Sequence, residues 1–199
     1  MAQAPEQTKL MTLDELLALG DAHIDVINGE VIDKAEMGVL HHLILGNVYS
    51  ALDRFVKVKE FGEVFPYGLT YLMCSPFDEI SNAFIPDVSY LRLEDLRRAI
   101  WKLELPYPDV PYLAVEVISP REKAYNIQNK LYTYLVKGTE QVWIIYPKTR
   151  EIYQYRRDNN PEIRIYRASG LESIDAESLF PGLQLTTDDI FKLPTWAQQ

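Results

Sequence analysis

The sequence predicts an α/β protein of the mixed α+β kind, with helices packed on one mixed sheet. Three observations predict it. First, two apolar, β-branched runs, Leu113–Ile118 and Gln141–Tyr146, are separated by a helical pattern over Glu122–Lys137. A strand–helix–strand unit of this kind joins parallel strands. Second, turn signals at Asn28-Gly29 and Asn159-Asn160-Pro161 sit between strand-like runs and mark antiparallel hairpins. Third, Met37–Val58 carries Leu40, Leu43, Ile44, Val48, Ala51, Leu52, Phe55 and Val56 at helical spacing, with Asn47 as the polar intruder in that stripe.

In chain order, Thr12 and Glu15 form a capping-box signature for a short helix that Gly20 ends. Ile24–Ile27 and Glu30–Lys34 are the strands on either side of Asn28-Gly29, and the long helix follows, ending before Gly62. Glu63–Met73 is rich in aromatic and β-branched residues and reads as a strand. A loop through Pro76 and Asp78 leads to the strand at Asp87. Leu93–Trp101 reads as a basic helix. Pro106, Pro108 and Pro111 read as a surface loop, since proline continues neither a helix nor a central strand. After the crossover unit, Glu151–Arg156 and Glu162–Arg167 form the second hairpin. The tail holds Pro181-Gly182 and a last short helix near Thr187. No repeat or low-complexity segment interrupts the chain.

With 199 residues, 47% of them hydrophobic, the chain suits one domain, 1–199, with residues 1–11 as a flexible N-terminal segment. Thirteen tyrosines against seven phenylalanines suit half-buried strand positions, where an apolar ring carries a wet hydroxyl. The single cysteine, Cys74, forms no intramolecular disulfide, and no Cys/His cluster suits structural zinc. Met1–Lys9 lacks the apolar core of a signal peptide, and no apolar run approaches the ~20 residues that span a bilayer. A cytoplasmic protein with no membrane partner is expected. The net charge of −9 disfavours unspecific coating of DNA but leaves room for metal-binding carboxylates. Two groups of basic residues, around Arg97, Arg98 and Lys102 and from Lys148 to Arg167, read first as solvated faces.

The chemistry concentrates between Phe84 and Pro147. Leu113–Ile118 is apolar throughout except for Glu116. A carboxylate there must be paired, metal-bound or uncharged, because burying a lone charge is expensive. Asp87 follows Pro86 at the start of another apolar run, and Lys130 lies on the next helix. Two carboxylates from neighbouring strands with a lysine leaning in can hold Mg²⁺ or Mn²⁺ and steady an attacking water. Asp87, Glu116 and the backbone carbonyl of Val117 or Ile118 supply the oxygen ligands a hard cation prefers. Each residue has a plainer alternative. Asp87 could bond a nearby backbone N–H, Glu116 could be locked to an arginine, and Lys130 could face water. Among the histidines, His23 is isolated, and His41 and His42 point about 100° apart on a helix. No Gly-x-Ser-x-Gly or phosphate-binding glycine loop is present, and Ser119 before Pro120 reads as a turn residue.

A family resemblance rests on these residues. Pro86-Asp87-Val88, Val115-Glu116-Val117-Ile118-Ser119-Pro120, Lys130 with Tyr134 and Gly138, and Trp143-Ile144-Ile145-Tyr146-Pro147 resemble the bacterial Uma-two type restriction endonucleases. These belong to the restriction-endonuclease-like superfamily, whose core motif is Pro-Asp…(Asp/Glu)-x-Lys. The stretch from Asp25 to Glu30, a histidine at 41 or 42 and Pro181-Gly182 extend the likeness over roughly Thr12 to Leu193. The resemblance implies a restriction-endonuclease-like core with flanking helices. It implies a metal-dependent endonuclease that hydrolyses DNA phosphodiester bonds, with Asp87, Glu116 and Lys130 catalytic and Asp87, Glu116 and Val117 at the metal. The superfamily lysine normally stands two positions after the second acid. Ile118 occupies that position here, so Lys130 on the following helix takes the role, with Lys123 as a second candidate. Glu30 and His41 are auxiliary candidates, and Asp109 is displaced from the family's pattern. A homodimer is expected by analogy with enzymes that cut two strands. The competing readings are an inactive nuclease fold serving as a binding or regulatory protein, and a hydrolase of small phosphoesters, which would need a closed pocket.

Overall fold

The computed structural model describes residues 10–20, 23–99, 103–157, 163–167 and 172–197. Met1–Lys9, the end of the basic helix at Trp101 with Lys102, and the turn at Asn159-Asn160-Pro161 lie outside the described residues.

Helix α1 (Leu13–Ala18) is set by its capping box: Glu15 N–H donates to Thr12 Oγ1 at 3.2 Å, and Thr12 N–H donates to the Glu15 carboxylate at 2.9 Å. Strands β1 (Ile24–Ile27) and β2 (Glu30–Asp33) form a separate antiparallel hairpin. Its turn uses positive φ at Asn28 (51°) and Gly29 (82°), the conformation whose twist matches a two-residue hairpin. Helix α2 runs from Val39 to Lys59 and buries Ile44, Leu45, Val48, Leu52 and Val56 along one face. Asn47, the polar intruder in that stripe, donates to the carbonyls of Ile190 and Lys192 at 2.9 and 2.8 Å.

Six strands follow in spatial order β3 (Gly62–Pro66), β4 (Val88–Arg92), β5 (Leu113–Val117), β6 (Gln141–Tyr146), β7 (Glu151–Arg156) and β8 (Ile163–Arg167). Among the described strands only β5 and β6 pair in parallel, and α4 (Ala124–Lys137) is their crossover, as the sequence predicts. Every other pairing is antiparallel, so the sheet is mixed. Helix α3 (Leu93–Ala99) follows β4, and α5 (Thr187–Phe191) sits near the end with its own capping box at Thr186 and Asp189. Gly62 allows close pairing of β3 and β4: a Cβ there would lie 2.0 Å from the Leu91 carbonyl oxygen.

The alternation of strands sorts the core onto two faces. Val88, Tyr90, Leu113, Val115, Val117, Trp143 and Ile145 pack with α2, α5 and the C-terminal segment. Leu91, Ala114, Val142 and Ile144 pack on the other face with Tyr134 of α4 and with Tyr71, Met73 and Phe84.

Two sequence expectations need correction. The strand expected over Glu63–Met73 ends at Pro66, because the chain turns at Tyr67-Gly68. Tyr71 then makes isolated bridges to Phe84 and Tyr107. The proline-broken stretch is therefore not a plain surface loop. Tyr107 N–H donates to the Thr70 carbonyl at 2.8 Å, and Pro111 is buried. Prolines at 106 and 108 leave the amide of the intervening Tyr107 free to pair.

Candidate active site

The site starts from register. Val88 pairs with Val115 in the antiparallel β4–β5 ladder, so Asp87, one residue before, stands beside Glu116, one residue after. Residues opposed in this way project from the same face of the sheet. Asp87 N–H donates to the Val115 carbonyl at 2.9 Å, which extends the ladder as far as the site. Both acids are buried, with 2% and 4% of their surface exposed.

Asp87 is held by its Oδ2. The Val117 amide donates to it at 2.6 Å, and His41 Nε2 lies 3.2 Å away. His41 comes from the first turn of α2, while its neighbour His42 faces solvent. Burial pushes the Asp87 carboxyl upward, but the His41 hydrogen bond, the Lys34 and His41 charges and the Val117 amide outweigh it and hold it below its usual range. Its Oδ1 is buried and has no hydrogen-bond partner, as is His41 Nδ1. Such orphaned atoms are costly in a core.

Glu116 is held by its Oε1. The Tyr134 hydroxyl donates to it at 2.9 Å, and Lys130 Nζ lies 2.7 Å away. Lys130 and Tyr134 sit four residues apart, so they share a face of α4. Lys130 is 3% exposed, and its ammonium also lies 2.9 Å from Asp25 Oδ2. Burial alone would lower the Lys130 pKa, yet the Asp25 and Glu116 carboxylates raise it, so it stays charged. Glu116 is pushed up to about 7: burial leads, and the Asp87 and Asp25 charges oppose the relief from Lys130 and Lys34. Two buried carboxylates, Asp25 and Glu116, share one buried ammonium, with the Asp87 charge close by. The plainer alternatives read from the sequence do not hold for Glu116 and Lys130. The glutamate's partner is a lysine rather than an arginine, and that lysine is buried.

Asp25 escaped the sequence reading as a site residue. It lies in β1, buried at all four positions, and its Oδ1 accepts the Ile85 amide at 3.0 Å. Lys34 is a second addition. Its Nζ donates to the Ile85 carbonyl at 2.6 Å and sits 4.9 Å from the Tyr67 ring centre. The Tyr67 hydroxyl in turn bonds His23 Nδ1. A cleft of about 340 Å³ opens over this corner, lined by Asp25, Lys34, Arg121, Lys123, Asn126 and Lys130 among others. Lys123, the second lysine candidate, is thus at the cleft wall, exposed, just before α4. Glu30 is exposed at the far end of the hairpin and makes none of the cluster's contacts described here. Asp109 is remote in role: it accepts the Cys74 thiol at 2.8 Å.

The donor chemistry fits a hard cation in part. Among the described residues no group of three or more His, Cys, Asp or Glu side chains gathers around one metal position. Asp87 nonetheless presents a buried, unpartnered carboxylate oxygen beside the Glu116 carboxylate. Magnesium is commonly bound by one or two carboxylates, with water and substrate phosphate completing its shell.

Several residues of the two basic clusters are ion-paired. Arg98 pairs with Asp95, Arg156 and Arg164 with Asp175, and Arg167 with Glu151. No helix among the described residues is long and apolar enough to cross a membrane.

Comparison with known proteins places the fold and the family. The solved structure of a "putative nuclease belonging to DUF820" from Anabaena variabilis ATCC 29413 superposes with a TM-score of 0.75. The match covers 91% of this chain and 97% of that one, at 21% identity, and shows that the two share a fold. No curated protein matches the sequence. The Uma2 family, described as "Putative restriction endonuclease", matches residues 13–188. The family resemblance read from the sequence is thereby confirmed, and the chain belongs to the Uma2 family.

Proposed function

We propose that the chain is a metal-dependent endonuclease that hydrolyses phosphodiester bonds in DNA. The observation that carries this is the gathering of Asp87, just before β4, Glu116 of β5 and Lys130 of α4, three buried ionisable groups, next to a cleft that Lys130 lines. Perturbed ionisable groups grouped in this way at a cleft are characteristic of catalytic sites.

Asp87 and Glu116, with the Val117 backbone carbonyl, would hold Mg²⁺ or Mn²⁺. The bound ion would supply Lewis acidity to the scissile phosphate and acidify the attacking water. Asp87 is suited to the ligand role because its carboxyl stays ionised and its Oδ1 is unspent. Lys130, fixed as an ammonium, neutralises negative charge that builds on the phosphate. Glu116, pushed up to about 7, is only partly ionised near neutral pH and becomes fully ionised when further positive charge arrives beside it. Lys34, Arg121 and Lys123 put positive charge along the cleft wall, where a polyanionic strand would run. A homodimer would let two such sites cut two strands, and a cytoplasmic location would place them with DNA.

One observation favours a second reading, an inactive nuclease fold that binds or regulates. Lys130 is already engaged by two carboxylates, and Glu116 Oε1 by both Lys130 and Tyr134, which resembles a self-contained structural network. Calorimetric titration of Mg²⁺ and Mn²⁺ with a plasmid-cleavage assay on the same samples separates the two. The nuclease reading expects metal binding and cleavage that Asp87→Ala and Glu116→Ala both abolish. Wild-type protein that binds no metal, even with DNA present, overturns it.

A further inference from the structure

We propose that Asp25 is a positioning residue for this site: it sets Lys130 and, with the same carboxylate, fixes the segment that presents Asp87. The inference rests on the nuclease reading and adds to it a residue from outside the motif.

The argument begins with Lys130. A lysine ammonium ends a flexible four-carbon arm. With Glu116 as its lone anionic neighbour it would settle onto that carboxylate. Asp25 Oδ2 stands 2.9 Å from Nζ and Glu116 Oε1 stands 2.7 Å from it, so the ammonium is held between two anions. Phe84 closes a further side, with its ring centre 5.7 Å away. The position of the charge is set by both carboxylates, and only one of them belongs to the six-stranded sheet.

The second half concerns Ile85-Pro86-Asp87. Pro86 has no N–H, so the chain can be gripped through amides only at Ile85 and at Asp87 itself. The Asp87 amide goes to the Val115 carbonyl. The Ile85 amide goes to Asp25 Oδ1 at 3.0 Å. Lys34, on the segment leaving the same hairpin, takes the Ile85 carbonyl at 2.6 Å. Both polar groups of Ile85 are therefore held from the β1–β2 side. The hairpin is a jig: it grips the residue two before one acid and, through Lys130, bears on the other. Asp25 is 4% exposed and its two oxygens have different tasks, so the tasks can be separated by substitution.

Asp25→Asn keeps an oxygen to accept the Ile85 amide but removes the charge that faces Lys130. Asp25→Ala removes both. Steady-state cleavage of a plasmid in Mg²⁺ is the readout, with thermal melting on the same samples. Positioning of Lys130 expects Asp25→Asn to lose about 10- to 100-fold in kcat, because small displacements of a catalytic group cost this much. KM should stay within about twofold, and Asp25→Ala should lose more. Wild-type kcat in Asp25→Asn beside an impaired Asp25→Ala overturns the proposal, leaving Asp25 as a backbone clamp. If the Asn variant does not fold, Asp25→Glu replaces it. Its longer arm keeps the charge but displaces the ammonium, so an unchanged kcat again overturns the proposal. If the wild type cleaves no DNA, the nuclease reading fails by itself. The ¹H–¹⁵N signal of the Lys130 ammonium then decides: a shifted, faster-exchanging signal in Asp25→Asn supports positioning, and an unchanged one overturns it.

Discussion

The sheet buries polar side chains on both of its faces, and the two groups differ in kind. On the α2 face, Gln141 Oε1 accepts from Trp143 Nε1 at 3.0 Å and from Gln154 Nε2 at 2.8 Å. Gln141 Nε2 donates to Ser178 Oγ at 2.8 Å. Gln154 Nε2 also reaches the Asp175 carbonyl, and Tyr166 closes the group by donating to Gln154 Oε1 at 3.0 Å. Every member is neutral. On the α4 face, Asp25, Asp87, Glu116 and Lys130 are ionisable, their charges do not cancel, and the buried Asp87 Oδ1 and His41 Nδ1 lack hydrogen-bond partners. A satisfied amide network anchors the C-terminal segment to the sheet and specifies packing. A strained charged cluster costs stability and is retained where chemistry needs it. The contrast predicts opposite phenotypes for the two groups.

The largest effect should come from Asp87→Ala. Loss of the carboxylate that presents a free oxygen should cut plasmid cleavage by about a thousandfold, in the range seen for electrostatic groups at reacting centres. Stability should fall far less steeply than the rate, by about 1–3 kcal/mol, because the buried Val117 amide and His41 lose their acceptor. A cleavage rate within tenfold of wild type would remove Asp87 from the site.

Gln141→Ala should do the reverse. It leaves the Trp143 indole N–H unpaired in the core, and each such orphan costs about 1–3 kcal/mol. Chemical denaturation should show about 2–4 kcal/mol of lost stability. Cleavage per folded molecule should be unchanged. A Gln141→Ala protein that melts normally but no longer cuts would show that the two faces are not separable in this way.

Acid–base behaviour sharpens the comparison from another side. Glu116 titrates near 7 in the folded chain against an ordinary 4.5, so the folded state binds its proton more tightly than the unfolded state does. That contribution is fully present below about pH 4.5 and is lost as pH rises through about 7. The shift corresponds to a stability change on the order of 3 kcal/mol. Asp87 runs the other way: its depressed pKa stabilises the fold above the ordinary 3.8 and is lost as pH falls through its folded value. Between pH 5 and 8 the Glu116 slope should dominate. Glu116→Gln, which mimics the protonated acid, should flatten it in metal-free buffer. A wild-type stability profile that is already flat there would place Glu116 in a better-compensated environment than these contacts describe.

These faces were unequally legible in the sequence. Glu116 announced itself because an acid interrupts a run that is apolar on both sides. The same rule applies to Ile24-Asp25-Val26-Ile27, yet it carries less weight in four residues beside an Asn-Gly turn, since a two-stranded hairpin usually keeps one wet face. Here Val26 bridges Ala83 and Ile85 bonds Asp25, so the hairpin is covered and its acid is enclosed. Pairing across 60 residues of sequence leaves no local pattern to read. Lys34 was hidden for the same reason, while Tyr134 was visible in the family resemblance but without a role. The strand expected through Met73 failed differently: aromatic and β-branched composition suits a strand and also suits the buried bridges that Tyr71 makes. The crossover helix and the β5–β6 pairing were readable because they are local in sequence and strongly periodic.

The smallest effect tests how the amide-rich face is held at its edge. Asn47 interrupts the apolar stripe of α2, and both of its donated bonds run to the chain around α5. Asn47→Ala removes two donors, but the Lys192 carbonyl lies at an exposed site where water can replace the bond. The Ile190 carbonyl is part-buried and bears most of the loss. About 1–2 kcal/mol is expected, toward the low end for one buried and one wet hydrogen bond. Asn47→Leu should cost no less, because added apolar surface cannot answer the carbonyls that Asn47 serves. Amide exchange in α5 should speed up in both variants while exchange in β5 and β6 stays slow, as expected when one edge element opens separately from the central strands. Equal acceleration in β5 would mean that α5 opens only with the whole sheet, and the edge would then belong to the same cooperative unit as the core.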